Sequence, residues 1–307
     1  MIRVNGIEVK TKHFPDNTQF FNFDWRQYMN YTDMSFMISW CYENDEECMI
    51  LWYLVHHIRE KTLGSKISLE LMYVPNARMD RTKKNDEVFT LKYFSKFINS
   101  LNFEKVYVLD PHSNVTPALI DNCVVHDVSH LISLALTMAE CDIINKDNST
   151  ENNLIIYFPD SGAMKRYSDL SYFKDKTIIF GKKKRDWSTG DIIGDIEIYN
   201  SDEHKIELSE DAINTNEIFG KNVLMVDDII SYGGTFAKSA DKLKKLGVNR
   251  IYAYATHCEN SVLDKNNSKL LPMLESGIIE KIYTTNSIFS KNDETEFVET
   301  VRYIRNY

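Results

Sequence analysis

Short apolar runs alternate with segments of helical periodicity along nearly the whole chain, and this alternation constrains the fold more than any other feature. Residues 67–74 alternate polar and apolar side chains like a strand, and residues 87–101 place apolar side chains at helical spacing. After the polar stretch at residues 145–153, the same rhythm begins again. Strands that alternate with helices predict βαβ units and mostly parallel sheets flanked by helices.

The length of the chain fits two such halves. A chain of 307 residues is long enough for two domains, since a domain usually has about 100–200 residues. We therefore predict an α/β protein with an N-terminal domain over residues 1–145 and a C-terminal domain over residues 146–288. Residues 289–307 are expected to form a helical segment that packs back on the N-terminal domain.

Composition excludes several classes of protein. Asp and Glu total 45 against 36 Lys and Arg, a formal charge of −9 that disfavours general binding to nucleic acid. No apolar run reaches the roughly 18–20 residues that a membrane span needs, and the N-terminus does not resemble a signal peptide. The cysteines form no CxxC pair, which predicts reduced thiols in a cytoplasmic protein; they are Cys41, Cys48, Cys123, Cys141 and Cys258.

Three of the apolar runs end on aspartate. Asp110 and Asp160 each follow one strand, and Asp227 and Asp228 together follow a third. A single aspartate after a strand most often caps the next helix or turn. Because ligands of open parallel sheets bind at the carboxyl ends of the strands, three such strands together favour a ligand site.

The most specific motif is VLMVDDIISYGGTF at residues 223–236. A buried strand delivers two adjacent carboxylates, which can accept hydrogen bonds from sugar hydroxyls. Gly233, Gly234 and Thr235 then open a helix, and their backbone N–H groups and hydroxyl can surround a phosphate at the positive end of the helix dipole. A double glycine alone is weak evidence, but the combination predicts a site for a phosphorylated sugar.

This motif resembles the phosphoribosyl-diphosphate loop of class I phosphoribosyltransferases. Its surroundings narrow the resemblance to one family, the ribose-phosphate diphosphokinases, and they follow the family's order over nearly the whole chain. The similar segments are residues 14–21 (Phe-x-Asp-Gly-Glu in the family), 76–81 (Ala-Arg-Gln-Asp-Arg), 109–114 (Asp-Leu-His-Ala), 158–166 (Pro-Asp-x-Gly-Gly), 181–185 (Lys-Arg-Arg) and 254–257 (Tyr-Ala-Thr-His).

The resemblance implies a type I phosphoribosyltransferase-like fold in both domains, with the site between them. It also implies a Mg²⁺-dependent transfer of diphosphate from ATP to the anomeric hydroxyl of a 5-phosphorylated ribose, with release of AMP. Such transfers need positioning and charge neutralisation more than covalent catalysis. Family members assemble as homodimers or homohexamers, and Phe14 and Asp16 are expected to complete the adenine pocket of a neighbouring copy.

The resemblance also assigns roles to individual residues. The ATP-binding residues are expected to be Phe14, Asp16, Arg78, Asp80, Arg81 and His112. His112 and Asp160 are the expected metal contacts, and Asp227, Asp228, Ser231, Tyr232, Gly233, Gly234 and Thr235 the expected ribose-phosphate contacts. The expected catalytic residues are Lys182, Lys184, Arg185 and His112. Lys182 aligns with the family's catalytic lysine, although a slip of one position would bring in Lys183 and Arg185.

The chain departs from the family pattern at several positions that would contact substrates. Asn17 and Thr18 replace the Gly-Glu of the adenine segment, and Met79 replaces the glutamine of the arginine loop. Ser231 and Tyr232 stand where the family has Asp-Thr, so a charge is lost and an aromatic ring is added. A ring beside the 5-phosphate suits an acceptor that extends beyond that phosphate, such as ADP-ribose in a pathway that rebuilds NAD.

Two other functions share part of this pattern. A phosphoribosyltransferase that moves ribose phosphate to a base would have the same loop, but it would not need the arginine loop and the basic loop. A non-catalytic regulatory subunit would not need Lys182, His112 and Asp160. AMP release that depends on Mg²⁺ separates the diphosphokinase from both alternatives.

Overall fold

The computed structural model of the chain describes residues 1–147, 153–182, 196–206, 218–291, 295–301 and 303. Contacts divide the chain into two compact units, Met1–Asp127 and Val128–Tyr307. Each unit contains one large, mostly parallel sheet together with helices, so the predicted α/β class is confirmed.

The first unit, which is described throughout, has a six-stranded sheet in the order β2-β1-β5-β6-β7-β8. Neighbouring strands from β5 to β8 are parallel, whereas β1 is antiparallel to both β2 and β5. Strands β3 and β4 form a separate antiparallel hairpin. The elements are β1 (Ile2–Val4), β2 (Ile7–Glu8), β3 (Lys12–His13), β4 (Gln19–Phe20), β5 (Ser35–Trp40), α1 (Glu47–Lys61), β6 (Lys66–Leu71), α2 (Thr90–Ser100), β7 (Val106–Leu109), α3 (Val115–Leu119) and β8 (Cys123–His126).

Strand β5 shows why this sequence folds as a sheet with one well-packed face. Its side chains alternate between half-buried and buried, with Phe36, Ile38 and Trp40 in the buried set. These residues belong to the same apolar core as the buried face of α1. Trp40 donates a 2.8 Å hydrogen bond from Nε1 to buried Glu47 at the start of α1, so the polar atoms of both are satisfied.

The second unit has a larger sheet. Its described strands follow the order β11-β10-β9-β12-β13-β14-β15, and only β11 is antiparallel to its neighbour. The elements are α4 (Ser129–Asp147), β9 (Leu154–Phe158), α5 (Ser161–Tyr167), β10 (Ile178–Lys182), β11 (Glu197–Asn200), β12 (Asn222–Ile230), α6 (Gly234–Lys245), β13 (Ile251–Cys258), α7 (Leu271–Glu275), β14 (Lys281–Thr285) and β15 (Val298–Val301).

The central strands of this sheet are buried on both faces. All of β9 and all of β13 is buried, and so are the first five residues of β12. Parallel strands covered on both faces read as continuous apolar runs, which is why residues 154–158 and 222–228 are recognisable from the sequence. The polar residues begin where these strands end, at the edge that carries the candidate site.

The boundary between the units differs from the one predicted at residue 145. Helix α4 belongs to the second unit, where Arg250 pairs with Asp147 at 2.7 Å and Tyr252 donates to Asp142 at 2.6 Å. Lys146 also lies 2.8 Å from Glu280 beside β14. The polar stretch after α4 marks a break in the apolar pattern, but it does not reveal which sheet the preceding helix packs on.

The C-terminal segment also differs from the prediction. Val298–Val301 forms β15, which pairs with β14 in parallel and extends the second unit's sheet. A helix that packs on the N-terminal domain is therefore wrong for these residues. Val298 and Val301 are buried against the second core, and a run of four residues is too short to show strand or helix periodicity in the sequence.

Two expectations from composition can be compared with the described residues. All five cysteines lie there, and each is a free thiol. Within the same residues, none of the helices has the length and apolar character required to cross a membrane.

Candidate active site

The loops after β6 and β7 carry the predicted nucleotide residues of the first unit. The two strands are parallel neighbours, with Leu69 opposite Val106. Their carboxyl ends therefore meet at one edge of the sheet. Arg78, Asp80 and Arg81 follow β6 in the chain, and His112 follows β7.

The arginine loop is anchored at its start and open at its end. Ala77 is buried, whereas Arg78 and Arg81 are exposed. Asp80 lies 3.7 Å from Nε of Arg81, whose side chain is 78% exposed. Because Arg81 is so exposed, this pair stabilises the fold little, and the guanidinium group of Arg81 stays available to an anionic ligand. Binding of phosphate here stays a prediction.

His112 lies in the turn between β7 and α3 and is half-buried. Asp110, the acid at the end of β7, is buried with φ of 39°, a left-handed conformation that bends the chain sharply. The strand therefore ends in a tight turn, and this turn brings His112 to the carboxyl edge of the sheet. The metal and ATP roles predicted for His112 stay predictions.

Phe14 and Asp16 lie at the tip of the β3–β4 hairpin. Phe14 is 49% exposed, and its ring stacks on Phe20 with centroids 4.2 Å apart. Asp16 accepts hydrogen bonds from the backbone N–H of Thr18 at 3.0 Å and from its hydroxyl at 2.7 Å. These bonds lower the pKa of Asp16 and hold the turn. The hairpin thus presents an aromatic face to its surroundings.

In the second unit, neighbouring parallel strands deliver the acids. Strand β12 lies between β9 and β13. The acids lie at or just beyond the carboxyl ends of these adjacent strands: Asp160 after β9, Asp227 and Asp228 near the end of β12, and Glu259 after β13. Asp160 also caps α5, because its Oδ1 accepts from the backbone N–H groups of Gly162 at 2.9 Å and Ala163 at 3.1 Å. Capping and ligand binding are compatible, since a carboxylate offers about four acceptor positions.

Arg166, which lies in α5, pairs with both acids of β12. Its guanidinium lies 2.6 Å from Oδ1 of Asp228 and 3.3 Å from Oδ1 of Asp227. Burial raises the pKa of Asp227 well above its usual range, and the charges of Asp228 and Asp160 add to this, while Arg166 opposes it. Asp227 and Asp228 therefore share one cation, and the charge of Asp160 acts on Asp227 as well. Arg166 lies within the Pro-Asp segment, but its role is missed by the sequence, because contact between α5 and β12 is not visible in spacing.

The loop after β12 has the backbone of an anion site. Gly233 precedes α6 in the left-handed region, with φ of 77° and ψ of 18°. A Cβ at this position would overlap the side chain of Leu270, so both conformation and space require glycine. Gly234 begins the helix with open space around it. The start of α6 therefore offers backbone N–H groups and a helix dipole without an intervening side chain.

Two side chains of this loop have different environments. Tyr232 is 46% exposed, and its backbone carbonyl accepts from the N–H of Lys269 at 2.8 Å. Ser231 donates from Oγ to Oε2 of Glu259 at 2.6 Å. The loop backbone and Ser231 are thus fixed, whereas the ring of Tyr232 faces outward.

Lys182 ends β10, next to the basic loop. Its Nζ lies 2.9 Å from Oε2 of Glu203 and 4.5 Å from the ring centroid of Tyr199. The lysine therefore rests on an aromatic side chain of β11 and is paired with an exposed glutamate, an arrangement that a stronger anion can replace. The remaining basic residues, Lys183, Lys184 and Arg185, lie outside the described residues.

Among the described residues, no group of three or more His, Cys, Asp or Glu side chains is arranged to hold a metal ion. Mg²⁺ in phosphate-transferring sites is usually held by one or two carboxylates together with waters and substrate phosphates.

Comparison with known proteins identifies relatives over most of the chain. Curated proteins named ribose-phosphate pyrophosphokinase match it, including one from Thermococcus kodakarensis with 27% identity over 251 residues, 82% of this chain and 78% of the relative. One from Vibrio parahaemolyticus is 24% identical over 260 residues, covering 84% of this chain and 72% of the relative. No protein-family model matches the chain.

The fold has a solved counterpart as well. The crystal structure of phosphoribosylpyrophosphate synthetase from Mycobacterium smegmatis aligns with a TM-score of 0.68 and 16% identity, over 96% of this chain and 86% of the other. This likeness confirms the predicted type I phosphoribosyltransferase-like fold. The motifs, the fold and the relatives agree, and the chain is similar to ribose-phosphate diphosphokinases over most of its length.

Proposed function

We propose that the protein transfers a diphosphate group from ATP to the anomeric hydroxyl of a 5-phosphorylated ribose. The hydroxyl oxygen attacks the β-phosphorus and loses its proton, and the bond from the β-phosphorus to the α–β bridging oxygen breaks, so that AMP leaves. The observation that carries this proposal is the loop after β12. It joins two strand-end carboxylates to a glycine-opened helix in a chain whose relatives are ribose-phosphate pyrophosphokinases.

In this proposal, the second unit binds the sugar phosphate. Asp227 and Asp228 accept hydrogen bonds from the ribose hydroxyls, and Arg166, which pairs with both, opposes the rise in the pKa of Asp227. The 5-phosphate lies at the start of α6, against the N–H groups of Gly233, Gly234 and Thr235 and beside Ser231. Fixed donors of this kind stabilise an anion without reorganising when it binds.

The first unit supplies the nucleotide contacts. Arg78 and Arg81 bind the triphosphate, since two guanidinium groups on one exposed loop can each contact phosphate oxygens. Asp80, beside Arg81, orients one of them, and His112 approaches from the neighbouring loop. The exposed face of Phe14, with Asp16 at the same hairpin tip, contacts the adenine of a neighbouring copy in a homodimer or homohexamer.

Mg²⁺ fits the acid cluster of the second unit. Asp227 and Asp228 share one cation, Arg166, and the pKa of Asp227 is raised chiefly by burial and then by the charges of Asp228 and Asp160. Asp160 would hold the ion, with His112 as a second contact, and the ion would neutralise phosphate oxygens during the transfer. Lys182 and the basic residues Lys184 and Arg185 after it would contact the transferred diphosphate.

The exposed ring of Tyr232 favours an acceptor larger than ribose 5-phosphate. The ring lies beside Gly233 at the start of α6 and is 46% exposed. An acceptor whose 5-phosphate carries a further nucleotide would cover that ring, since aromatic stacking adds about 0.5–1.5 kcal/mol beyond burial. ADP-ribose has this form. Its diphosphorylated product could accept nicotinamide in an NAD-rebuilding pathway.

The test is an assay of AMP release. The purified full-length chain is incubated with ATP and Mg²⁺, and ribose 5-phosphate and ADP-ribose are offered separately while AMP and product masses are followed. AMP with either acceptor supports the diphosphokinase, and the preferred acceptor decides the role of Tyr232. No AMP with either acceptor would contradict the proposal. It would favour transfer of ribose phosphate to a base, or a regulatory subunit without catalytic activity.

A further inference from the structure

A carboxylate lies directly against the first residue of the phosphate loop. Glu259 follows β13, and its backbone N–H donates to the carbonyl of Ile230 at 2.8 Å. Its Oε2 accepts from the hydroxyl of Ser231 at 2.6 Å and from that of Ser261 at 3.1 Å. Backbone and side-chain contacts thus fix Glu259 at the start of the loop.

A negative charge at this place has a cost for an anionic ligand. A phosphate monoester carries about −1.5 to −2 charges at pH 7 because its second pKa is about 6. A phosphodiester carries one. Each additional ligand charge near a fixed carboxylate is unfavourable, and the effect is larger in a partly buried site than in water.

We propose that Glu259 is a specificity-determining residue, which makes the loop prefer a 5-phosphodiester to a 5-phosphomonoester. The inference rests on the proposed function, since it takes the start of α6 as the 5-phosphate site. It adds to the argument from Tyr232, because it concerns the charge of the phosphate and not the group attached to it.

The space around the loop is consistent with a diester. A Cβ built on Gly234 would meet no atom within 4 Å, so the first residue of α6 borders open space. Tyr232 is also exposed. A substituent on the 5-phosphate can therefore leave the loop without displacing protein atoms.

The experiment separates charge from stacking by using a diester without a base. Ribose 5-phosphate and its methyl phosphodiester are titrated into the protein by calorimetry without ATP. The wild-type protein is compared with Glu259→Gln, which removes the charge and keeps an acceptor. Glu275→Gln is the matched control, because Glu275 is exposed in α7 and the substitution changes net charge equally. Ser261→Ala removes one hydroxyl that orients Glu259 but leaves the charge.

We expect the wild-type protein to bind the methyl diester about tenfold more tightly than the monoester, the effect of roughly one unit charge near a partly buried group. Glu259→Gln should bring the ratio of the two dissociation constants close to one, whereas Glu275→Gln and Ser261→Ala should preserve most of it.

A wild-type ratio near one overturns the inference even if Glu259→Gln does not fold. An unchanged ratio in folded Glu259→Gln also overturns it. Both of these results leave diphosphate transfer intact if AMP is still released. If neither compound binds, the ribose-phosphate site is contradicted, and with it both proposals.

Discussion

Each of the two units carries candidate ligand-binding loops, and the two sets of loops hold their polar groups in different ways. At the carboxyl edge of the second sheet, Asp228 is 2% exposed and pairs with Arg166 at 2.6 Å. In the first unit, the arginine and hairpin loops expose their functional side chains, and Arg81 meets Asp80 only at 3.7 Å.

This difference indicates how each half would bind its ligand. The sugar-phosphate half is preorganised, since its groups are fixed by contacts that also stabilise the fold. The nucleotide half is not, so its side chains lose conformational freedom when ATP binds. Substitutions at this edge of the second unit should therefore change stability as well as activity, whereas those in the exposed loops of the first unit should reduce activity alone.

The largest effect is expected from Gly233→Ala. The added methyl group would overlap Leu270, and alanine is strained at φ of 77°. Together these effects should destabilise the protein by about 2–4 kcal/mol, lower its melting temperature and abolish AMP release. Gly234→Ala is the control for stability, because a Cβ there meets nothing within 4 Å. Equal melting temperatures for the two variants would contradict the strained-loop argument.

A pair of arginine substitutions tests the comparison directly. Arg166→Met leaves Asp228 buried without its 2.6 Å ion pair to Arg166 and should cost about 1–3 kcal/mol of stability, since Arg166 itself is partly exposed. Its kcat/KM should fall at least tenfold. Arg81→Met should raise the KM for ATP with little change in melting temperature, because the side chain of Arg81 is 78% exposed. If both variants melt alike, the second unit's edge is no more preorganised than the first unit's loop.

Asp227→Asn should stabilise the protein while reducing its activity. The pKa of Asp227 is raised in the folded protein, chiefly by burial and then by Asp228. Its ionisation therefore destabilises the fold as pH rises above the unfolded value of about 3.9. We expect the variant to melt about 2–4 °C higher at pH 7, which corresponds to a gain of roughly 1 kcal/mol in the free energy of unfolding. The gain should shrink as pH falls toward 4. A difference in melting temperature that does not change with pH would show that ionisation of Asp227 is not its cause.

The sequence predicted much of the fold because the strands of both sheets are strongly patterned. Residues 223–226 and 251–255 stand out as apolar runs because parallel strands here are buried on both faces. The boundary at residue 145 was misplaced, because only the contacts of α4 with Arg250 and Tyr252 show where that helix belongs. Strand β15 could not be predicted, because four residues are too few to show the periodicity of a strand or a helix.

For the site, the sequence located strand ends but not the contacts across strands. Asp227, Gly233 and the start of α6 follow from one contiguous motif, so their arrangement is local. Arg166 and Glu259 reach this loop from other strands and helices, 61 and 28 residues away from their partners in the chain. Side chains brought together by sheet order in this way carry no local signal.

The smallest effect is expected at the hairpin of the first unit. Phe14→Ala removes a ring that is 49% exposed and stacked on Phe20. It should leave the melting temperature within about 1 °C, as exposed substitutions usually do. It should raise the KM for ATP several-fold if the ring contacts adenine, because stacking is worth about 0.5–1.5 kcal/mol.

The control is Leu63→Ala, since Leu63 is 98% exposed and lies away from the hairpin, just after α1. Mixing Phe14→Ala with a Lys182→Ala variant tests whether the ring acts on a neighbouring copy. Mixed oligomers would then contain active sites with both groups intact, and activity would rise above that of either variant alone. If the activity of the mixture equals the sum of the separate variants, the Phe14 ring acts at the site of its own chain. The hairpin would then contact the same ATP molecule as the arginine loop of that chain.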